Sequence, residues 1–377
     1  MLFKTALNIN LPRMHLRYVI KSIVHLVIIS LSMHAFAQKD STKPTLKISG
    51  YLETYYSYDF GKPTNHDRPA FIYSFNRSNE VNLNIGFIKA SIQQKNIRAN
   101  MAIMAGTYTN ANLATEPGVL KNIFEANAGV KIHKAKNAWI DAGVFASHIG
   151  AESAIGNDSW NLTRSIAADN SPYYESGIKG TYISDNSKWL LSVLVLNGWQ
   201  RIKRIDGNNT MALGHQITYT PSSKFSINSS SFIGNTKPDS VKQMRYFHDL
   251  YVTYLVTKKL GFLAGFDIGA EQKSKGSDSY NVWHTAFLHV RYHISSKVTL
   301  AGRAEYYKDK NQVIIHTGTP DGFQTLGYSI NTDIYITTYA VWRIEARTFT
   351  SKDQIFELSH NSSTHNYSIT TSLAISF

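Results

Sequence analysis

Residues 260–271 read LGFLAGFDIGAE, and this stretch decides the fold. Leu260, Phe262, Ala264, Phe266, Ile268 and Ala270 line one face of an extended chain. Gly261, Gly265, Asp267, Gly269 and Glu271 lean to the other. A period of two marks a strand rather than a helix. The same rhythm is found in EVNLNIGF, where Val81, Leu83, Ile85 and Phe87 alternate with Asn82, Asn84 and Gly86. It returns at the end, where Tyr367, Ile369, Thr371, Leu373, Ile375 and Phe377 alternate mainly with Ser and Thr.

Outward from these stretches the pattern covers nearly the whole chain. Sixteen alternating segments begin near 44, 79, 96, 122, 137, 172, 187, 211, 224, 244, 260, 282, 297, 323, 339 and 365. Short turns such as QQKN, HKAKN, SDNS and TPSSK alternate with long polar connections near 60–78, 109–121, 148–171, 197–210, 234–243, 272–281, 309–322 and 351–364. Segments of about ten residues with turns short on one side and long on the other are the signature of a transmembrane barrel. The expected fold is all-β: an antiparallel up-and-down transmembrane β-barrel of about 16 strands, with short periplasmic turns and long extracellular loops. A soluble β-sandwich is the competing reading, but it rarely needs so many strands with aromatic-rich ends.

Composition agrees. The 377 residues include no Cys, so disulfides and thiolate metal sites are excluded. Tyr (22 residues) is abundant, which suits pleated strands. Lys plus Arg exceed Asp plus Glu by 39 − 26 = 13. These bases are scattered singly rather than gathered into a phosphate-neutralising surface, which argues against nucleic acid as a partner.

Residues 1–37 have the form of a secretory leader. Lys4, Arg13, Arg17 and Lys21 precede the apolar run 23–33, and Ala35-Phe36-Ala37 supplies a small-x-small cleavage site. Cleavage is expected after Ala37, leaving 38–377 as a single barrel domain. Met14 is an alternative start.

If the apolar face meets lipid, the opposite face lines a lumen, and charges there require water or ion pairing. Inward charges are expected at Arg98, Glu125, Lys131, Asp141, Lys179, Arg245, Asp249, Asp267, Arg291, Arg303, Glu305, Arg343, Glu345 and Arg347, with Asp249 in phase with Arg245. Two readings stand side by side. The arginines at 291, 303, 343 and 347 form an anion-attracting wall, or ion pairs with Glu305 and Glu345 brace the barrel. Aromatics near strand ends, among them Tyr51, Tyr55, Trp139, Tyr174, Trp189, Trp199, Tyr307, Trp342 and Phe377, fit interfacial girdles. Stacking on sugar is the functional alternative for some of them.

The longest break in the alternation is Ser147–Tyr174, SHIGAESAIGNDSWNLTRSIAADNSPYY. As the third long loop it is expected to fold into the lumen, with Ser147, His148, Gly150, Glu152, Asp158, Trp160, Thr163, Arg164 and Asp169 at a constriction. Glu152, Asp158 and Asp169 would face the arginines and set up a transverse field. His148 and Glu152 would share a face only in a helix and lack a third ligand, so no metal is expected. No Gly-x-Ser-x-Gly elbow is present, and neither a catalytic set nor a cofactor is expected. The function expected is a water-filled channel for passive diffusion of small hydrophilic solutes or ions. The alternatives are a substrate-specific or plugged transport barrel and, behind it, a lipid-modifying enzyme.

Several strings together resemble the putative β-barrel porin-2 (OmpL-like) family: GYLETYYSYDF, FIYSFNRSNEVNLNIGFIKAS, RANMAIMAGTY, SHIGAES, LTRSIAADNSPYYESGIK and VLNGWQRI. The resemblance implies an outer-membrane porin-like barrel and supplies neither a catalytic motif nor a solute. It also makes Phe377 resemble the C-terminal aromatic through which barrel-assembly machinery recognises its clients. Outer-membrane lipid and further copies of the chain complete the expected partners.

Overall fold

The computed structural model describes residues 44–377 apart from His360. The expected leader at 1–37 and its cleavage site lie outside the described residues. The strands are β1 (Thr45–Asp59), β2 (Glu80–Gln93), β3 (Ile97–Ala105), β4 (Ile123–Lys131), β5 (Asn137–Ala146) and β6 (Tyr174–Ile183). They continue as β7 (Trp189–Leu196), β8 (Ala212–Ser222), β9 (Phe225–Asn235), β10 (Met244–Leu255), β11 (Leu260–Gln272) and β12 (Tyr280–His293). The last are β13 (Val298–Asp309), β14 (Phe323–Tyr335), β15 (Ala340–Ser351), the short hairpin β16 (Phe356–Leu358) and β17 (Asn361–Ser363), and β18 (His365–Ser376).

All but β16 and β17 join one closed antiparallel barrel, so sixteen strands are the number expected and the number found. Neighbours in sequence are neighbours in the sheet. The seam pairs β1 with β18 in a register that sets Tyr51 opposite Ser376 and Asp59 opposite Ser368. Closure is forced by the solvent: hydrocarbon offers no hydrogen bonds, so every strand edge must find a partner. The barrel's last residue takes part. Gly50 and Phe377 exchange N–H···O bonds of 2.9 and 3.0 Å. The Phe377 ring lies over Gly50, where a Cβ would stand 2.2 Å from its Cζ and the ring would have to move aside.

Burial alternates along the strands as the sequence pattern requires. On β13 Ala301, Arg303, Glu305, Tyr307 and Asp309 are buried, while the residues between them are partly exposed. The outward set is aliphatic and aromatic, as a lipid contact demands. The reading of 81–87 as one uninterrupted alternation needs correction. Opposite β1 the register slips between Glu53 and Thr54, leaving Asn84 as the extra residue of a β-bulge. A bulge swaps the faces of the residues beyond it. Val81 is therefore 78% exposed on the outside, while Ile85 is fully buried inside.

Candidate functional site: the lumen and the loops folded into it

The wall formed by β12 to β15 carries the densest inward charge. Arg303 and Arg347 both face Ser329 of the strand between them, so β13 and β15 present their charges at one height. Residue 327 on β14 is glycine, and the Glu305 side chain crosses over it. That path brings Glu305 Oε1 within 2.7 Å of Arg347 Nη2 and 3.2 Å of Arg303 Nε. Arg303 Nη2 in turn donates to Glu345 Oε1 at 2.9 Å. Nearer the turns, Arg343 Nε donates to Asp333 at 2.6 Å.

The 147–173 loop is bonded to this wall. Glu345 accepts from Thr163 N at 2.6 Å and Thr163 Oγ1 at 2.9 Å. Glu305 accepts from Ile166 N at 2.6 Å, and Arg303 donates to the Thr163 carbonyl at 2.6 Å. Arg343 donates to the carbonyls of Gly156 (2.7 Å) and Ser159 (3.0 Å). Leu162 N donates to Asn331, and Asn161 reaches Ser329 and the Nδ1 of His289. Charge-assisted bonds of this kind are about twice as strong as neutral ones. Glycine at 156 leaves room for Glu53 of β1, whose carboxylate would have to shift for a Cβ that stood 2.5 Å from it.

Within the loop, Ser165 caps the helical turn Ile166–Asp169 by accepting from Ala168 N, and Glu152 accepts from Ser165 N at 3.1 Å and from its hydroxyl. Arg164 is fully buried and donates to three carbonyls of its own loop, those of Ser153, Leu162 and Ala154. It holds the loop's shape and presents no charge to water. Trp160 lies beneath Arg291, whose guanidinium carbon is 4.3 Å from the ring centroid. His148 bonds through Nε2 to the Ser231 carbonyl of β9 at 2.8 Å, and burial pushes its pKa down to about 4. Ser147 Oγ accepts from Ile149 N, and Gly150 turns the chain at φ +94°. Asp169 accepts from Ser74 (3.1 Å) and Tyr173 (3.3 Å), and burial raises its pKa to about 7. Asp158 is exposed.

The opposite wall is looser. Arg98 pairs with Asp141 at 2.5 Å while keeping 28% of its side chain exposed, and Lys89 pairs with Glu125 at 2.6 Å. Lys131 and Lys179 face inward and form no direct ion pair among the described residues; Lys179 lies over the Phe145 ring at 4.4 Å and opposite Asp141 in register. Arg245 does not engage Asp249, four residues and two pleat repeats along its own strand. It pairs with Glu271, directly opposite in register, at 2.7 Å. Asp249 instead accepts from Ser230 and Asn228 and lies across from Asp267.

Sequence reasoning missed a second loop. Phe71 of the 60–79 connection packs against Phe323, Phe349 and Phe356, with centroids 4.8, 5.4 and 6.2 Å away. Arg68 donates to Ser368 of β18 at 2.7 Å. The signal was present in FIYSF, an apolar run no solvated loop needs. Several aromatics assigned to girdles also point inward and are buried, among them Tyr51, Tyr55, Trp139, Tyr174 and Tyr307, whereas Trp189, Trp342 and Phe377 are exposed on the outside.

A closed sixteen-stranded barrel with a charged inner wall and loops folded inside defines a porin-type outer-membrane channel. The sequence matches the family described as "Putative beta-barrel porin-2, OmpL-like" over residues 45–377, and the chain belongs to that family. No curated protein matches it. Among solved structures, it is similar to the anion-selective porin from Comamonas acidovorans at 8% identity and TM-score 0.58, covering 89% of this chain and all of that one. OmpT of Vibrio cholerae aligns at 8% identity and TM-score 0.58 over 90% of this chain and 99% of its own. The outer membrane channel DcaP of Acinetobacter baumannii aligns at 11% identity and TM-score 0.55 over 90% and 99%. At these identities the likeness is one of fold.

Proposed function

We propose that the chain passes small hydrophilic solutes and ions by diffusion, along a route narrowed by the loop at 147–173, and that it is not an enzyme. The observation that carries this reading is the bonding of Thr163 and Ile166 to Glu345 and Glu305, which fixes the loop across the lumen. Arg303, Arg343 and Arg347 act as braces, since each is almost fully buried and engaged by a carboxylate. The charges that keep some exposure on the inner side include Lys89, Arg98, Lys131, Lys179 and Arg291 against Glu125 and Asp158, a balance that is net cationic and favours anions. The Comamonas porin of similar fold is named as anion-selective.

A second reading, a substrate-specific channel, is supported by the aromatic packing of Phe71, Phe323, Phe349 and Phe356, which fills part of the lumen beneath the long loops. We further propose homo-oligomers in the outer membrane, as OmpT of Vibrio cholerae has been solved in a trimer form, and export by a leader cleaved after Ala37. Phe377, at the barrel seam, is proposed as the contact for assembly machinery.

The refolded chain in planar bilayers should give discrete ion currents that grow with salt concentration. A blocked current in the presence of one solute would select the specific channel, and folded protein without any current would overturn both readings.

A further inference from the structure

On the long-loop side a cavity of about 400 Å³ opens between the loops at 197–211, 236–243 and 310–322. Trp199 lines it, half-buried, its ring held edge-to-face by Phe232 (5.1 Å) and Phe247 (5.0 Å). A second cavity of about 340 Å³ shares Trp199, Arg201 and Arg245 with the first and leads to Asp169 and Ser171 of the 147–173 loop. Both lie within the size range of small-molecule sites.

The chemistry of the lining is unusual. The first cavity carries four cations, Arg201, Lys237, Arg245 and Lys273, against the single carboxylate of Glu271. That carboxylate is already occupied: it takes Arg245 Nε at 2.9 Å and Nη2 at 2.7 Å, and Lys237 at 3.4 Å. Among the described residues Arg245 Nη1 has no hydrogen-bond partner and the guanidinium of Arg201 has neither a hydrogen bond nor an ion pair. The Arg245 guanidinium lies over the rings of Trp199 (5.1 Å) and Trp283 (5.5 Å), so a sugar would take the part of the indole that faces the cavity. Asn311 donates to Asn281 Oδ1 at 3.0 Å, which leaves Asn311 Oδ1 and Asn281 Nδ2 as an adjacent acceptor and donor.

Each feature answers a different part of one ligand class. A rigid indole presents an electron-rich face to the weakly positive C–H groups of a pyranose. Paired amides match hydroxyl groups, which both donate and accept. Guanidinium groups with free N–H vectors match a carboxylate. We propose that the cavity beside Trp199 binds acidic saccharides, the sugar ring on the indole, its hydroxyls on Asn281 and Asn311, and its carboxylate on Arg201 and Arg245. This rests on the channel reading for its purpose, since the two cavities lead from the mouth toward the loop in the lumen.

Calorimetry on the full chain folded in detergent tests it with three probes: D-glucuronate, D-glucose and acetate. Glucuronate should bind saturably, and glucose and acetate at least about tenfold more weakly, each lacking one half of the recognition. Arg201→Ala and Asn311→Ala, both in loops, should each weaken glucuronate about tenfold or less while the barrel's resistance to heat unfolding stays unchanged. Trp199→Phe should weaken it as well.

No binding of glucuronate, acetate bound as tightly, or glucose bound as tightly would each overturn the proposal. So would unchanged affinity in all three variants. A chain that conducts ions but ignores glucuronate removes this site alone. A chain that binds glucuronate but never conducts removes the channel reading alone.

Discussion

The two sides of the lumen use the same residue types for different ends. On the β13 and β15 side Arg303, Arg343 and Arg347 expose at most 2% of their side chains and are consumed by Glu345, Asp333, Glu305 and the loop. On the β3 to β6 side Arg98 keeps 28% exposed, and Lys131 and Lys179 form no direct ion pair among the described residues, Lys179 standing opposite Asp141, which Arg98 already holds. Charge on an inner wall is therefore not one property. Where a loop docks, charge becomes structure; where water remains, it acts on what passes.

Breaking the docked side should have the largest effect. Arg303→Ala leaves Glu345 and Glu305 buried with part of their compensation gone, and losing one member of a buried pair costs about 3–5 kcal/mol. Urea unfolding in detergent should show that loss, and a change below about 1 kcal/mol, the range of exposed pairs, would mean the network is wet.

The open side should govern selectivity instead. Lys131→Met with Lys179→Met should lower the anion-to-cation permeability ratio by about twofold or more, read from reversal potentials in a salt gradient, with little change in stability. An equal shift from Arg303→Ala alone would erase the distinction between the two walls.

The smallest expected effect is a pH dependence at the junction of the two inner loops. Asp169 holds its proton up to about pH 7 in the folded chain, whereas an unhindered carboxyl loses it near 3.8. Between those values the folded state binds more protons than the unfolded one, so stability falls as pH rises through the window and levels off above it. Asp169→Asn should flatten that slope in thermal unfolding measured at pH 5 and pH 8. A slope that persists would place its origin elsewhere.

The barrel was legible in the sequence because membrane strands repeat every two residues. Strands β5, β10, β11, β14 and β18 begin at the residues read from the alternation, and the other barrel strands within two; the short hairpin β16–β17 falls inside the stretch read as the 351–364 connection. The face exchange at Asn84 was not legible, since a bulge adds a residue without altering composition. Nor were the contacts of the 147–173 loop. Its odd composition and its place were visible, but Thr163 meets Glu345 across 182 residues of chain, and no local pattern encodes that pairing. Trp199 shows the same limit: near a strand end it reads as a girdle residue, and only the closed barrel places it beside Arg245.

The central claim is that the bonds between the loop and Glu345 narrow the channel. Single-channel conductance of Glu345→Ala, compared with the unaltered chain in the same bilayer and salt, tests it most directly. Release of Thr163 should raise the conductance or add larger open levels. An identical conductance in a correctly folded variant would contradict the account.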